Sequence, residues 1–228
     1  MELTFGIEEE FFVVSGGSSE IEPTAHDGFI RRARELAQGT VSRELLQSQI
    51  EIATPVCRSI TEARDRLVGL REALGRAGKE FGLAIVASGT HPTADWSQQV
   101  KTDKERYDSV VAELQMLAMR NLVCGMHVHV GLPDDELRIE IMRRSLPFLP
   151  VLLALSCSSP FWRGMNTGFS SYRMTSYDEM PRTGLPPLFA SWSEYRGYID
   201  VLCSAGIIRD ESYAWWAIRP SGAHPTLE

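Results

Sequence analysis

The sequence predicts one α+β domain over residues 1–228, and three observations carry the prediction. Strand-period segments are mixed with helical stripes along the chain, several strands are polar on one face only, and the composition supports a real core. The chain has 228 residues, 43% hydrophobic and 23% charged, which fits one large domain or at most two small ones.

Leu3, Phe5, Ile7, Phe11 and Val13 alternate onto one face of an opening strand over 2–14, which Gly16, Gly17, Ser18 and Ser19 terminate. Phe29, Ile30, Ala33 and Leu36 predict a helix over 27–38. Ile50 and Ile52 alternate with Gln49, Glu51 and Ala53 in a strand that Pro55 ends. Ser59 and Glu62 form a capping box ahead of the stripe Ile60, Ala63, Leu67, Leu70, Leu74, Ala77 and Phe81. Leu83–Ala87 is expected as a short buried strand leading into Gly89-Thr90-His91-Pro92. A second capping box, Thr102 to Glu105, predicts a helix carrying Val110, Leu114, Leu117 and Ala118. A strand over 122–130 stops at Gly131 and Pro133, and helices follow over 134–145 and 147–157, the second apolar enough to be buried. Residues 158–190 have no sustained period, yet six aromatics lie between Phe161 and Phe189, which favours a functional loop over disorder. A helix over 192–204 and a short strand over 215–219 complete the reading.

A net charge of −7 and a pI near 5.3 leave no global basic field to hold nucleic acid. The first residues carry neither a basic n-region nor an apolar h-region, and the longest apolar run, Leu146–Leu155, is broken by Pro147 and Pro150. No membrane partner is expected. Cys57, Cys124, Cys157 and Cys203 form no CxxC pair, so buried thiols in a reducing cytoplasm are expected.

Alternation places Glu8 and Glu10 on one strand face, about 7 Å apart, with Glu9 on the other. A solvated strand end and a cation site both account for this pair. Glu51 repeats the pattern opposite isoleucines, whereas Glu44 reads more simply as a surface residue. His127 and His129 share a strand face, an arrangement also found in metal-dependent hydrolases, which is a further reading. An acid-rich set with an imidazole favours Mg²⁺ or Mn²⁺ over zinc. No P-loop occurs, so phosphate would rest on metals and arginines. Arg163, Arg173 and Arg182 lie in the aperiodic segment, and Arg219 follows Trp215-Trp216.

Together, Phe5-Gly6-Ile7-Glu8-Glu9-Glu10-Phe11, Gln49 to Pro55, Gly89-Thr90-His91-Pro92 with Asp95-Trp96, Cys124 to Gly131, Trp162-Arg163-Gly164 through Arg173, Pro181 to Gly184 and Ile218-Arg219-Pro220 resemble the carboxylate–amine ligases of the type 2 glutamate–cysteine ligase family. The resemblance spans essentially the whole chain. It implies a glutamine-synthetase-like α+β fold, a curved antiparallel funnel of strands with helices outside. It also implies an ATP-dependent ligase that activates the γ-carboxylate of glutamate as an acyl phosphate for attack by cysteine or a similar amine. Glu8, Glu10, Glu51 and His127, with Glu44, would then be Mg²⁺ ligands, and Arg163, Arg173, Arg182 and Arg219 would face phosphate or substrate carboxylate. The stretch Thr226-Leu227-Glu228 is similar to the start of a family strand whose Glu binds metal, and family members continue past it. The alternative expectation is therefore a truncated or non-catalytic member that binds nucleotide or a complementing chain. A homodimer is the other partner expected.

Overall fold

The structure is a computed structural model that describes residues 3–24 and 26–228. Along the chain run β1 (Phe5–Ser15), α1 (Asp27–Leu36), β2 (Thr40–Arg43), β3 (Gln49–Ala53), α2 (Ile60–Glu80), β4 (Leu83–Val86), α3 (Glu105–Leu114), α4 (Met116–Arg120) and β5 (Met126–Gly131). Then come α5 (Asp135–Ser145), α6 (Leu149–Leu155), the hairpin β6 (Phe161–Trp162) and β7 (Met165–Asn166), α7 (Tyr172–Tyr177), α8 (Trp192–Ser204) and β8 (Thr226–Leu227). The strands pair antiparallel, in an α+β arrangement. None of the described helices is long and apolar enough to cross a membrane.

The chain divides into two compact units. The first comprises Gly6–His127 and Cys157–Met180. Its sheet sets β3 between β1 and β2, with Glu10 opposite Glu51, Glu8 opposite Ala53 and Ser42 opposite Glu51. Phe11, Val13, Ile50 and Ile52 project to the other face and pack with Phe29, Ile30 and Ala33 of α1 and Leu70, Leu74 and Ala77 of α2. One sheet face is thus sealed by two amphipathic helices, and the opposite face carries Glu8, Glu10 and Glu51 and, farther along β1, the buried Phe12 and Val14. Ser59 caps α2 as expected, its Oγ accepting from Glu62 N at 3.1 Å, while the Glu62 carboxylate reaches back one residue beyond the cap to accept from Arg58 N at 2.9 Å.

The second unit comprises Met1–Phe5, Val128–Ser156 and Pro181–Glu228. Here β5 pairs with β8 through Val130–Leu227 and Gly131–Thr226. Asp134 caps α5 through Leu137 N at 2.8 Å, and Ser191 caps α8 through Glu194 N at 3.2 Å. Glu136 of α5 accepts from Trp192 N at 3.1 Å, and the Arg138 guanidinium lies over the Trp192 ring, joining the two helices.

Four sequence expectations are corrected. The Thr102 box does not form: Lys104 is the N-cap of α3 and makes no side-chain cap bond. Thr102 N is tied to Leu45 O at 2.8 Å, which keeps the chain extended past the threonine. The strand expected over 122–130 starts only at Met126, because Val123 and Cys124 bridge instead toward Thr90 and Gly89. No strand forms over 215–219; pairing begins only at Arg219, which exchanges both backbone hydrogen bonds with Glu228, and continues through the Pro220–Leu227 bridge to Ser221 N, which donates to Thr226 O at 2.9 Å. Finally, α6 is exposed rather than buried, with Leu155 80% and Val151 57% accessible. A helix apolar on every side needs neighbours all round, and the described residues do not supply them.

Candidate active site

In the first unit, Glu10, Glu44 and Glu51 bring carboxylate oxygens within 4.8 Å of one another on the polar face of β1–β3. Ser42 Oγ donates to Glu51 at 3.1 Å, and Leu45 N donates to Glu44 at 3.0 Å. Burial and the charges of Glu10 and Glu51 push the Glu44 carboxyl up to about 8. Burial, with Glu8 and Glu10, also raises Glu51. Crowded, partly desolvated carboxylates repel when ionised, and a hard divalent cation with oxygen ligands relieves that repulsion. The residues present therefore fit Mg²⁺ or Mn²⁺ in chemistry. His127 Nδ1 lies 3.6 Å from Glu8 Oε2 at the edge of the same face.

Glu9, on the opposite face, is 7% exposed and held by Arg71 of α2, Nε donating to Oε2 at 2.8 Å and Nη2 closing on Oε1. Its role is explained by packing. Glu44, expected on the surface, is half-buried inside the carboxylate cluster.

Arg173, at the start of α7, donates from Nε to Cys124 O at 2.7 Å and lies over the Tyr177 ring. Arg163 sits at the β6–β7 turn with φ 49°, and its guanidinium binds Asp95 at 2.9 Å. Asp95 also accepts from Ser97 N and Oγ, and these contacts, with Arg163, hold its carboxyl below the usual range.

In the second unit, Arg182 donates to Tyr213 O at 3.0 Å and stacks over Trp215. Arg219 donates to Glu228 Oε1 at 2.7 Å, Ala214 O at 2.7 Å and Ser212 O at 3.2 Å. The other Glu228 oxygen meets His129 Nδ1 at 2.9 Å. Burial pulls the Glu228 carboxyl up, but His129 and Arg219 outweigh it and the net shift is downward. The two histidines of the HxH pair therefore take different carboxylate partners, Glu8 and Glu228.

Sequence reasoning missed Tyr107 and the Cys124–Gly125 peptide. Burial and the charges of Glu44 and Glu51 raise the Tyr107 phenol, and its hydroxyl donates to Arg43 O at 3.3 Å. Its only signal was helical spacing. Gly125 N donates to Glu10 Oε2 at 2.7 Å, and Gly125 O accepts from Glu10 N at 3.0 Å.

The model of "Glutamate-cysteine ligase family 2" matches residues 4–228. A protein of Bradyrhizobium sp. strain ORS 278 named "Putative glutamate--cysteine ligase 2" is 44% identical over 227 residues, covering 100% of this chain and 56% of the relative. One of the same name from Jannaschia sp. strain CCS1 is 47% identical over 225 residues, covering 99% of this chain and 59% of the relative. The chain thus spans little more than half the length of these relatives. Among solved structures, a bifunctional glutathione synthetase from Pasteurella multocida aligns with a TM-score of 0.74 at 17% identity, covering 97% of this chain and 33% of that one. A glutamate–cysteine ligase from Francisella tularensis, solved in complex with AMP, aligns with a TM-score of 0.66 at 14% identity, covering 90% and 48%. At these identities the likeness is one of fold.

Proposed function

The chain belongs to glutamate–cysteine ligase family 2, and from that premise we propose an ATP-dependent carboxylate–amine ligase. The observation that carries it is the Glu10–Glu44–Glu51 cluster on the polar sheet face, in the same unit as Arg173. Glu8, Glu10, Glu44, Glu51 and His127 would hold Mg²⁺ or Mn²⁺, which would neutralise charge on the phosphates of ATP. In the second unit, Glu228 would serve as a metal ligand by releasing His129 or Arg219. Arg163, Arg173 and Arg182 would bind nucleotide phosphates, while Arg173, Arg182 and Arg219 would stabilise the transferring phosphoryl group or orient the glutamate.

The γ-carboxylate oxygen of glutamate attacks the terminal phosphorus of ATP, and ADP leaves. The amine nitrogen of cysteine or a similar amino acid then attacks the acyl carbon, phosphate departs, and the nitrogen loses its proton. Little covalent work falls to the protein, which positions and neutralises. The AMP in the Francisella ligase supports a nucleotide site on this fold in that protein. The test is ADP release that requires Mg²⁺, glutamate and an amine together; glutamate-independent ADP release would overturn the reading.

A further inference from the structure

The peptide group between Cys124 and Gly125 is engaged at both ends by charged residues. Its carbonyl oxygen accepts from Arg173 Nε at 2.7 Å, and its N–H donates to Glu10 Oε2 at 2.7 Å. The cation therefore meets the negative end of the peptide dipole and the carboxylate meets the positive end. Both are charge-assisted bonds, and each polarises the peptide in the direction that strengthens the other. Gln49 holds the approach to this peptide, donating from Nε2 to Val123 O at 2.6 Å, and Cys124 is buried behind it.

Gly125 has no left-handed φ, so backbone conformation does not explain a glycine there. Space does. A Cβ on Gly125 would collide with Arg173 Nη2 and lie 3.1 Å from its Cζ and 3.5 Å from its Nε. The obstructed group is the far end of a flexible side chain, not backbone. An added methyl would therefore displace the guanidinium while leaving the fold in place.

We propose that Gly125 is a positioning residue: its missing side chain admits the Arg173 guanidinium to the peptide that also holds Glu10, locking the phosphate-facing cation to the metal-facing carboxylate. The nucleotide part of this inference rests on the ligase reading above; the placement of Arg173 does not. Any phosphate-bearing nucleotide bound by Arg173 and by a cation on Glu10 would then meet the two at a fixed separation.

The experiment compares Gly125→Ala, Arg173→Lys and the double variant with the unaltered chain. Three readouts are taken: Mn²⁺ affinity without nucleotide, Mg²⁺–ATP affinity by calorimetry, and the Arg173 Nε–H resonance by NMR. Gly125→Ala should keep Mn²⁺ affinity within about twofold, because Glu10 and its N–H donor remain, and should weaken Mg²⁺–ATP roughly tenfold. Arg173→Lys should show a similar loss, and the double variant should lose no more than Arg173→Lys alone, since the alanine acts only through that guanidinium. The Arg173 Nε–H signal should shift in Gly125→Ala. An unmoved signal, or additive losses in the double variant, would overturn the proposal. If the unaltered chain binds no Mg²⁺–ATP while the signal still shifts, the ligase reading fails and the placement of Arg173 by Gly125 stands.

Discussion

Glu9 of β1 and Arg71 of α2 form a two-pronged ion pair across the interface between sheet and helix, with Glu9 Oε2 accepting from Arg71 Nε at 2.8 Å. The Glu9 side chain is only 9% exposed, while that of Arg71 is 51% exposed. The pair is therefore asymmetric: the acid depends on the base for its solvation, and the base retains water. Arg71→Ala should destabilise the fold by about 2 kcal/mol, below the range for fully buried pairs because half of the arginine was never desolvated. Glu9→Leu combined with Arg71→Leu should recover most of that loss. Urea unfolding midpoints would check both, and an Arg71→Ala variant as stable as the parent would show that water reaches Glu9.

The carboxylates on the opposite sheet face carry the opposite expectation. Glu10 and Glu51 face each other in register, with Glu44 alongside, and nothing among the three is positive. Glu51→Gln should raise the melting temperature measured in chelator, because it removes one charge from a crowded set. It should also abolish most of the stabilisation given by Mg²⁺ or Mn²⁺ and weaken Mn²⁺ binding by at least about tenfold. The pH dependence follows from Glu44, raised to about 8 from the ordinary value of 4.5. Between those values the folded chain binds more protons than the unfolded one, so its contribution to stability falls as pH rises. Thermal scans in chelator and in Mg²⁺ across pH 5–8 would show the loss and its reversal.

How much of this was legible in the sequence depends on the range of the interaction concerned. Ser59 and Glu62 are three residues apart, so the start of α2 could be read directly. Strand alternation separated Glu9 from Glu8 and Glu10, but it could not supply Arg71, 62 residues away. Glu44 lies just beyond β2, where no period applies, and only folding shows it turning toward Glu10 and Glu51. Thr102 carried a valid local signal that a tertiary hydrogen bond to Leu45 overrode. Arg219 and Glu228 are residue types suited to a ligand, yet in the structure they engage each other, a pairing that depends on two segments meeting.

His91 provides a pH test outside the carboxylate cluster. It is 4% exposed, accepts at Nδ1 from Ala94 N at 3.1 Å, and sets Nε2 3.3 Å from Ser19 O. Burial lowers its pKa, and the contact with Ser19 offsets this only in part. Below the usual value of about 6.5 the unfolded chain takes up a proton that the folded one resists, so this contribution to stability is lost as pH falls from there. His91→Gln should flatten that fall and cost roughly 1–2 kcal/mol at neutral pH through the orphaned turn donors. Denaturation midpoints at pH 5 and pH 7.5, for parent and variant, would measure both effects.

The cysteines separate by environment rather than by sequence. Cys157 is exposed, whereas Cys57 and Cys124 are buried. Burial, then the nearby Glu10 charge, pushes the Cys124 thiol well above its usual range, so at neutral pH it carries almost no thiolate. Since the thiolate is the reacting species, burial and protonation act in the same direction. A thiol reagent at pH 7.5 should therefore show a fast phase that Cys157→Ser removes, and Cys124 should react only at the rate of local or global opening. Mg²⁺ should slow the Cys124 reaction further, because a cation held by Glu10 stabilises the face whose carboxylate is bonded to the Gly125 N–H. A Cys124 rate unaffected by Mg²⁺ in protein that binds the ion would place the cation away from Glu10.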